Sequence, residues 1–369
     1  MTNDMKYAGS VRTEEDLKEV LGSFGGLWRY PDLLDYFFLV NPYFPTEAFL
    51  QRFKDNADLL ICHYPSNRKV DSALAAAYFS VRPDSIVIGN GTSEIIKSVM
   101  EHTEGKIGVI RPTFEEYPNR YTPDDTVVMS VEDADFSYDE EDVIRFFTDH
   151  AVGTLVLINP DNPSGNWIGR NGLLKIASWA KERNIRVLLD ESFSDFSSEE
   201  PSSLIEQEIL DAFPNLFVIK SISKSYGVAG IRLGVAACGD TAYMDRLKKD
   251  LSIWNINSFA EFFFQIIRDD EEDYREALKH FREERAWFAE ALSRIEGLRV
   301  LPSQANYLMV EVTGGMAVAD LQKKLFTEYG ILIKDLSSKI QSGRQFMRLA
   351  VRNREDNEFF VRKLKEALR

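Results

Sequence analysis

Lys224 lies in the run Ser221-Ile222-Ser223-Lys224-Ser225-Tyr226, directly after the apolar stretch Leu216 to Ile219 and ahead of Gly227, Gly230 and Gly234. A lysine taken out of water gives up its proton readily, and the neutral amine forms Schiff bases. Ser221 and Ser223 can donate to an anion there, and Arg232 follows eight residues after the lysine. Asp190 closes a second apolar run, Ile185 to Leu189, where a carboxylate can hold the cationic nitrogen of a heterocycle. A third loop, Asn159-Pro160-Asp161-Asn162-Pro163-Ser164-Gly165-Asn166, follows the run Thr154 to Ile158 and is richer in Asn and Pro than a turn requires. Gly89-Asn90-Gly91-Thr92-Ser93-Glu94 ends one more run and opens a helical pattern from Ser93 to Glu101. Free amides and hydroxyls at such a helix start attract phosphate.

Each feature also has an ordinary reading. Lys224 can be a loop lysine, Asp190 a cap, and 159–166 a turn. Thr92 or Ser93 can be a plain N-cap. Gly89-x-Gly91 lacks the third glycine of a dinucleotide fingerprint, and no G-x-x-x-x-G-K-S/T loop is present.

The elements that must hold these residues are legible as alternating patterns. Ser85 to Ile88, Ile107 to Ile110, Thr126 to Met129, Thr154 to Ile158, Ile185 to Leu189, Leu216 to Ile219 and Leu233 to Ala237 read as buried strands, with helical stretches such as Asn171 to Arg183 between them. That alternation predicts an α/β fold: a mostly parallel sheet with helices on both faces. Such sheets place ligands at the carboxyl ends of their strands, where the residues above stand. From Asn257 to Arg294 the pattern is helical without proline. Arg299 to Leu301, Tyr307 to Val310, Ile331 to Ile333, Phe346 to Val351 and a terminal helix then predict a smaller α+β domain. The expected division is a large domain over 46–265 and a small domain over 1–45 and 266–369 that includes an N-terminal arm.

Composition narrows the function. The 369 residues are 44% hydrophobic and 28% charged, enough for a sizeable core. The net charge of −15 argues against a generic nucleic-acid or anionic-membrane binder. Met1 to Lys6 carries no apolar signal region, and the longest apolar runs are strand-sized. Cys62 and Cys238 make no disulfide framework, and the four histidines show no metal-ligand spacing. A cytoplasmic enzyme without a metal is the expectation.

Taken in order, Gly91-Thr92-Ser93, Asn159 to Gly165, Asp190, Ser221-x-Ser223-Lys224, Arg232 and Phe346-Met347-Arg348 resemble the fold-type I pyridoxal-phosphate enzymes of aminotransferase class I/II. The branch is that of histidinol-phosphate aminotransferase and threonine-phosphate decarboxylase. The resemblance runs from Asn41-Pro42 to the C-terminus and implies an aspartate-aminotransferase-like large domain. It also implies that Lys224 carries pyridoxal 5'-phosphate as a Schiff base and later moves protons. Asp190 would pair with the pyridine nitrogen, Asn162 would serve the ring 3-oxygen, and Phe114 would stack on the ring. Gly91, Thr92, Ser93, Ser221, Ser223 and Arg232 would cradle the phosphate. Tyr64, in Tyr64-Pro65, would reach the phosphate of a neighbouring subunit, which implies a homodimer. Arg348 would grip the substrate α-carboxylate, Asn41 and Asn306 would line the substrate pocket, and Lys334 stands where this branch often has arginine.

Two departures bear on the reaction. Phe193 stands three residues after Asp190, where the aminotransferases have a tyrosine on the ring 3-oxygen; Ala350-Val351-Arg352 follows Arg348 where the histidinol-phosphate enzymes tend to have glycine. Both features resemble the threonine-phosphate decarboxylase side. The main expectation is a transaminase acting on an amino acid or phosphorylated amino compound with a keto acid. The alternative is a decarboxylase of a phosphorylated or phosphonylated amino acid. Lys334, Arg352 and Arg354 are the candidates for a second substrate anion. Arg352 and Arg354 read equally as surface charge at the start of the last helix.

Overall fold

A computed structural model of the chain describes residues 12–340 and 342–369. The first eleven residues, Met1 to Lys6 and the start of the expected N-terminal arm among them, lie outside the described residues. Strand β1 (Leu34–Asp35) comes first, then seven strands of one sheet: β2 (Ile86–Asn90), β3 (Ile107–Arg111), β4 (Thr126–Ser130), β5 (Thr154–Ile158), β6 (Arg186–Asp190), β7 (Leu216–Ser221) and β8 (Leu233–Cys238). Their order is β2-β8-β7-β6-β5-β3-β4. Only β8 runs against its neighbours.

The strands read as unbroken apolar runs because both faces are covered. Leu155, Leu157, Val187, Leu189 and Val218 enter one core, and Val156, Ile158, Leu188, Phe217 and Ile219 the other. Side chains alternate across a strand, so each run divides its bulk between two layers of helices. Amphipathic helices Glu140–Asp149 and Arg170–Glu182 fill the connections, the first opened by a reciprocal Asp139–Asp142 capping box.

A second, four-stranded antiparallel sheet is built from β9 (Leu298–Val300), β10 (Tyr307–Val312), β12 (Lys334–Asp335) and β13 (Phe346–Ala350), in the order β12-β13-β10-β9. The fold is therefore α/β with a mostly parallel central sheet, as expected. Two details differ. The stretch Ile331 to Ile333 is not one strand: β11 (Ile331–Leu332) pairs in parallel with β1, while Lys334–Asp335 turns onto β13. The stretch 257–294 is two helices, Ser258–Ile266 and Glu271–Ser293, separated by a tight turn at Ile267–Asp270. Arg52 pairs with Asp269 and Asp270 at this break, a contact from a distant helix that no local pattern announces.

Candidate active site

Strand register sets the site residues in a row. Asn90 pairs with Leu233, Gly234 with Ser221, Ile219 with Asp190, and Asp190 with Ile158. Because β2 and β8 alternate in direction, the end of β2 and the start of β8 share the edge where β5, β6 and β7 finish. Gly91, Arg232, Ser221, Asp190 and Asn159 thus lie along one rim of the sheet.

At one end of the row is an anion cradle. Gly91, at φ +71, is the N-cap of helix Thr92–Glu101, and no side chain caps that helix. The expected Thr92 or Ser93 N-cap is thus displaced by one or two residues. The positive φ of Gly91 favours glycine there, and a Cβ would also meet the Arg232 guanidinium that closes over the helix start. Arg232 itself adopts φ +57, and its carbonyl accepts from Gly91 N at 2.9 Å. Ser223 Oγ reaches the backbone of Leu233 at 3.4 Å, which ties the Lys224 turn to the same cradle. Ser221 closes β7 opposite Gly234.

In the middle stand Asp190 and Lys224. Asp190 Oδ2 accepts from the hydroxyl of Tyr117 at 2.9 Å, and Oδ1 from Ser192 N at 2.9 Å. Tyr117 is fully buried, and burial with the adjacent Asp190 charge pushes its phenol well above the usual range, so it stays a donor. Lys224 sits on the single helical turn Ile222–Ser225. Burial brings its amine down to about 8; the Asp190 charge opposes that shift, and Arg348 and Arg232 add to it. The Lys224 Nζ lies 4.0 Å from the ring centroid of Phe193 and 5.8 Å from that of Phe114. Tyr226 is turned away: its hydroxyl bonds that of Tyr78 at 2.7 Å and its ring stacks on Tyr274.

The far end of the row is cationic. Arg348 is half-buried, donates from Nη1 to Asn162 Oδ1 at 2.8 Å and from Nη2 to Phe37 O at 2.9 Å, and lies over the Tyr307 ring. Burial pulls its guanidinium down to about 10, and its Nε is buried without a partner. Lys334 is the cross-strand partner of Arg348 and lies over the Phe37 ring. Burial and then the Arg348 charge lower its amine. Neither cation has an ion-pair partner among the described residues.

Asn41 and Asn306 are both buried, in different settings. Asn41 clamps the lysine turn: its N donates to Lys224 O at 2.9 Å and its Nδ2 to Ser225 O at 2.8 Å. Its oxygen accepts from Tyr43 N, so its side chain is taken up by backbone. Asn306 is fully buried, and both polar atoms of its side chain lack a partner.

Three expected ligands lie apart from the row within this chain, one of them, Tyr64, expected to act in a neighbouring subunit. Arg352 pairs with Asp356 at 2.8 Å and donates to Asp35 O at 3.0 Å; it fastens the last helix to the β1 segment and is not placed to take a substrate anion. Arg354 is likewise held by Glu284 and the Trp287 ring. Tyr64 is 81% exposed and packs on Trp254 in an open groove that extends to Asn90, so within one chain it is not part of the row. Three residues absent from the sequence reading join the site. Tyr117 sits three residues beyond Phe114, a spacing that could have drawn attention to it. Tyr307 packs edge-on against Phe193 and donates to Asp161 O. Lys339 carries no motif at all.

Residues 41–364 match the family Aminotransferase class I and II, and the chain belongs to that family. It is 32% identical over 374 residues to an L-serine phosphate decarboxylase of Sulfurospirillum multivorans, covering 96% of this chain and 92% of that one. It is 34% identical over 338 residues to a CMP-5'-(3-aminopropyl)phosphonate synthase of Streptomyces rubellomurinus, covering 91% of this chain but 53% of the relative, so it spans about half the length of that protein. Histidinol-phosphate aminotransferases and threonine-phosphate decarboxylases are also among the relatives. A solved decarboxylase structure from S. multivorans superposes with a TM-score of 0.85 at 30% identity, covering 100% of this chain and 96% of that one.

The chain is a pyridoxal-phosphate enzyme, and its residues fit the group. The uncapped helix start under Arg232 suits the phosphate, and the depressed Lys224 amine suits a carbonyl. Among these relatives are named decarboxylases of phosphorylated amino acids as well as aminotransferases. Among the described residues, no helix is long and apolar enough to cross a membrane.

Proposed function

We propose that the chain is a pyridoxal-phosphate-dependent decarboxylase of a phosphorylated or phosphonylated amino acid. The observation that carries this reading is the pair Lys334 and Arg348, adjacent across two strands, both half-buried, and without ion-pair partners among the described residues. Two like charges in one desolvated pocket are unfavourable until anions arrive. One α-carboxylate suits the Arg348 fork; Lys334 is then left for a second anion. Near-full-length similarity to an L-serine phosphate decarboxylase supports the same substrate class.

Pyridoxal phosphate, held by Lys224, Asp190 and the Gly91–Arg232 cradle, would supply an electron sink for the pair left on Cα when the carbon–carboxylate bond breaks. Asp190, oriented by Tyr117 and Ser192, holds positive charge at the pyridine nitrogen and so favours that electron flow. Asn162, whose oxygen is taken by Arg348, has Nδ2 left to donate to the ring oxygen. Phe114 and Phe193, near the lysine amine, exclude water from it. Lys224 holds a proton at Nζ and delivers it to Cα once carbon dioxide leaves, which closes the balance to an amine product. The large and small domains over 46–265 and over 1–45 with 266–369, a dimer completed by Tyr64, and a cytoplasmic location remain part of this proposal.

The test is to incubate cofactor-loaded protein with O-phospho-L-serine, O-phospho-L-threonine and an aminophosphonate, and with histidinol phosphate plus 2-oxoglutarate. Carbon dioxide and keto acid are followed together. Carbon dioxide released in step with a phosphorylated amine supports the reading. Keto acid formed without carbon dioxide returns the chain to the transaminases.

A further inference from the structure

Lys339 lies on the turn after β12, where its N donates to Leu336 O at 2.9 Å. The side chain is 19% exposed and crosses to the central-sheet side of the site, where Nζ donates to the carbonyl of Thr113. Thr113 immediately precedes Phe114. The nearest carboxylate, Glu115, stands 3.9 Å away, and the same oxygen already accepts from Arg111 at 2.9 Å. Asp161 also faces the amine, but burial pushes its carboxyl up to about 7, which makes it a weak counter-charge. Arg348 and Lys334, both like charges, are near enough to act on the amine as well. Burial, with those two cations, brings the Lys339 amine down to about 8.

An ammonium has three donors, and here one carbonyl and one distant, shared carboxylate serve them. Three cations therefore converge where the α-carboxylate needs only the arginine fork. A phosphate or phosphonate, with three acceptor oxygens and up to two charges, matches what remains.

We propose that Lys339 is a specificity-determining residue that contacts the phosphate or phosphonate of the substrate, beside Lys334, while its hydrogen bond to Thr113 ties that contact to the Phe114 loop. This rests on the reading that the substrate carries such a group.

The test uses cofactor-loaded enzyme and the cofactor absorbance as a binding signal. The probes are O-phosphoethanolamine, which has amine and phosphate but no carboxylate, and L-alanine, which has no phosphate. Lys339→Met should weaken O-phosphoethanolamine about tenfold or more and leave L-alanine within about twofold. Lys339→Arg should recover most of the loss. On a turned-over phosphoamino acid, Lys339→Met should raise KM far more than it lowers kcat. Equal losses for both probes, unchanged O-phosphoethanolamine binding, or a wild type that does not prefer phosphorylated amines would each overturn the role. If the wild type makes keto acid rather than carbon dioxide, yet Lys339→Met still loses phosphate discrimination, the decarboxylase reading fails and the role of Lys339 stands.

Discussion

Arg348 Nη1 donates to Asn162 Oδ1 at 2.8 Å, which joins the residue proposed to grip the substrate to the residue proposed to serve the cofactor ring. The bond spans 186 residues of sequence and links β13 to the loop after β5. It orients both side chains: the guanidinium is held for a carboxylate, and the amide is turned so that its nitrogen is available.

The first prediction follows from that link. Asn162→Ala leaves a half-buried guanidinium short of an acceptor, and a hydrogen bond to a charged group is worth about 1.5–3 kcal/mol. We expect kcat/KM to fall at least tenfold even for a substrate whose only carboxylate meets Arg348. In a double-mutant cycle with Arg348→Ala the coupling should be about 1 kcal/mol or more. Strictly additive losses would show that the two residues act separately.

A second prediction separates Asp190 from its support. Asp190→Asn should still bind cofactor but lose most turnover, since an amide cannot hold the pyridinium by charge. Loss of such a group costs about 3 kcal/mol, roughly a hundredfold. Tyr117→Phe removes one orienting bond and should cost about tenfold. Near-wild-type kcat in Asp190→Asn refutes the assignment.

Lys224 offers a covalent test. Borohydride reduction of the loaded protein, followed by peptide mapping, should place the pyridoxyl group on Lys224. With its amine lowered to about 8, the rate of cofactor capture by the apo chain should rise with pH and level off above about 8. An ordinary lysine would keep rising toward its usual value near 10.4. A rate still climbing steeply at pH 9.5 would contradict the burial argument.

Much of this site could be read in advance because its residues obey local rules. Lys224, Asp190, Asn162 and Gly91 each follow an apolar run, and a buried sheet gathers such positions on one rim whatever the loop lengths. Lys339 obeys no such rule: its partner Thr113 is 226 residues away, and only the packing of the turn after β12 against the Phe114 loop makes it notable. Arg352 failed for the opposite reason. Asp356, four residues on, is a local partner at helical spacing, and it captures the guanidinium before any substrate can. The break at Ile267–Asp270 has no proline or glycine, and ion pairs from Arg52 mark it only in three dimensions.

Tyr64 bears on assembly. Its exposure, with Leu59, Ile61, Ile253 and Trp254 also exposed nearby, leaves it free to act in a second subunit. Mixing Lys224→Ala and Tyr64→Phe subunits should generate hybrid dimers with one undamaged site. Activity above both parents, after subunit exchange has been demonstrated, is the expected result. A mixture that never exceeds its parents rules out sharing.

Phe193 sets the last prediction. Its ring centroid lies 4.0 Å from Lys224 Nζ, and its flank is fixed edge-on by Tyr307. Tyr226, the other hydroxyl close to Lys224 in sequence, is bonded to Tyr78 and cannot substitute. Asn162 Nδ2 is then the donor proposed for the ring 3-oxygen. With fewer donors, that oxyanion leans more on the proton of the imine joining Lys224 to the cofactor, which raises the pKa of the imine. Phe193→Tyr should restore a phenol donor, stabilise the oxyanion without the proton, and lower the visible-absorbance pKa of the loaded enzyme by about one unit. Deprotonation would then set in at lower pH than in the wild type. A variant whose titration is unchanged, or moves upward, would mean that the new hydroxyl does not reach the oxygen or that another group already serves it.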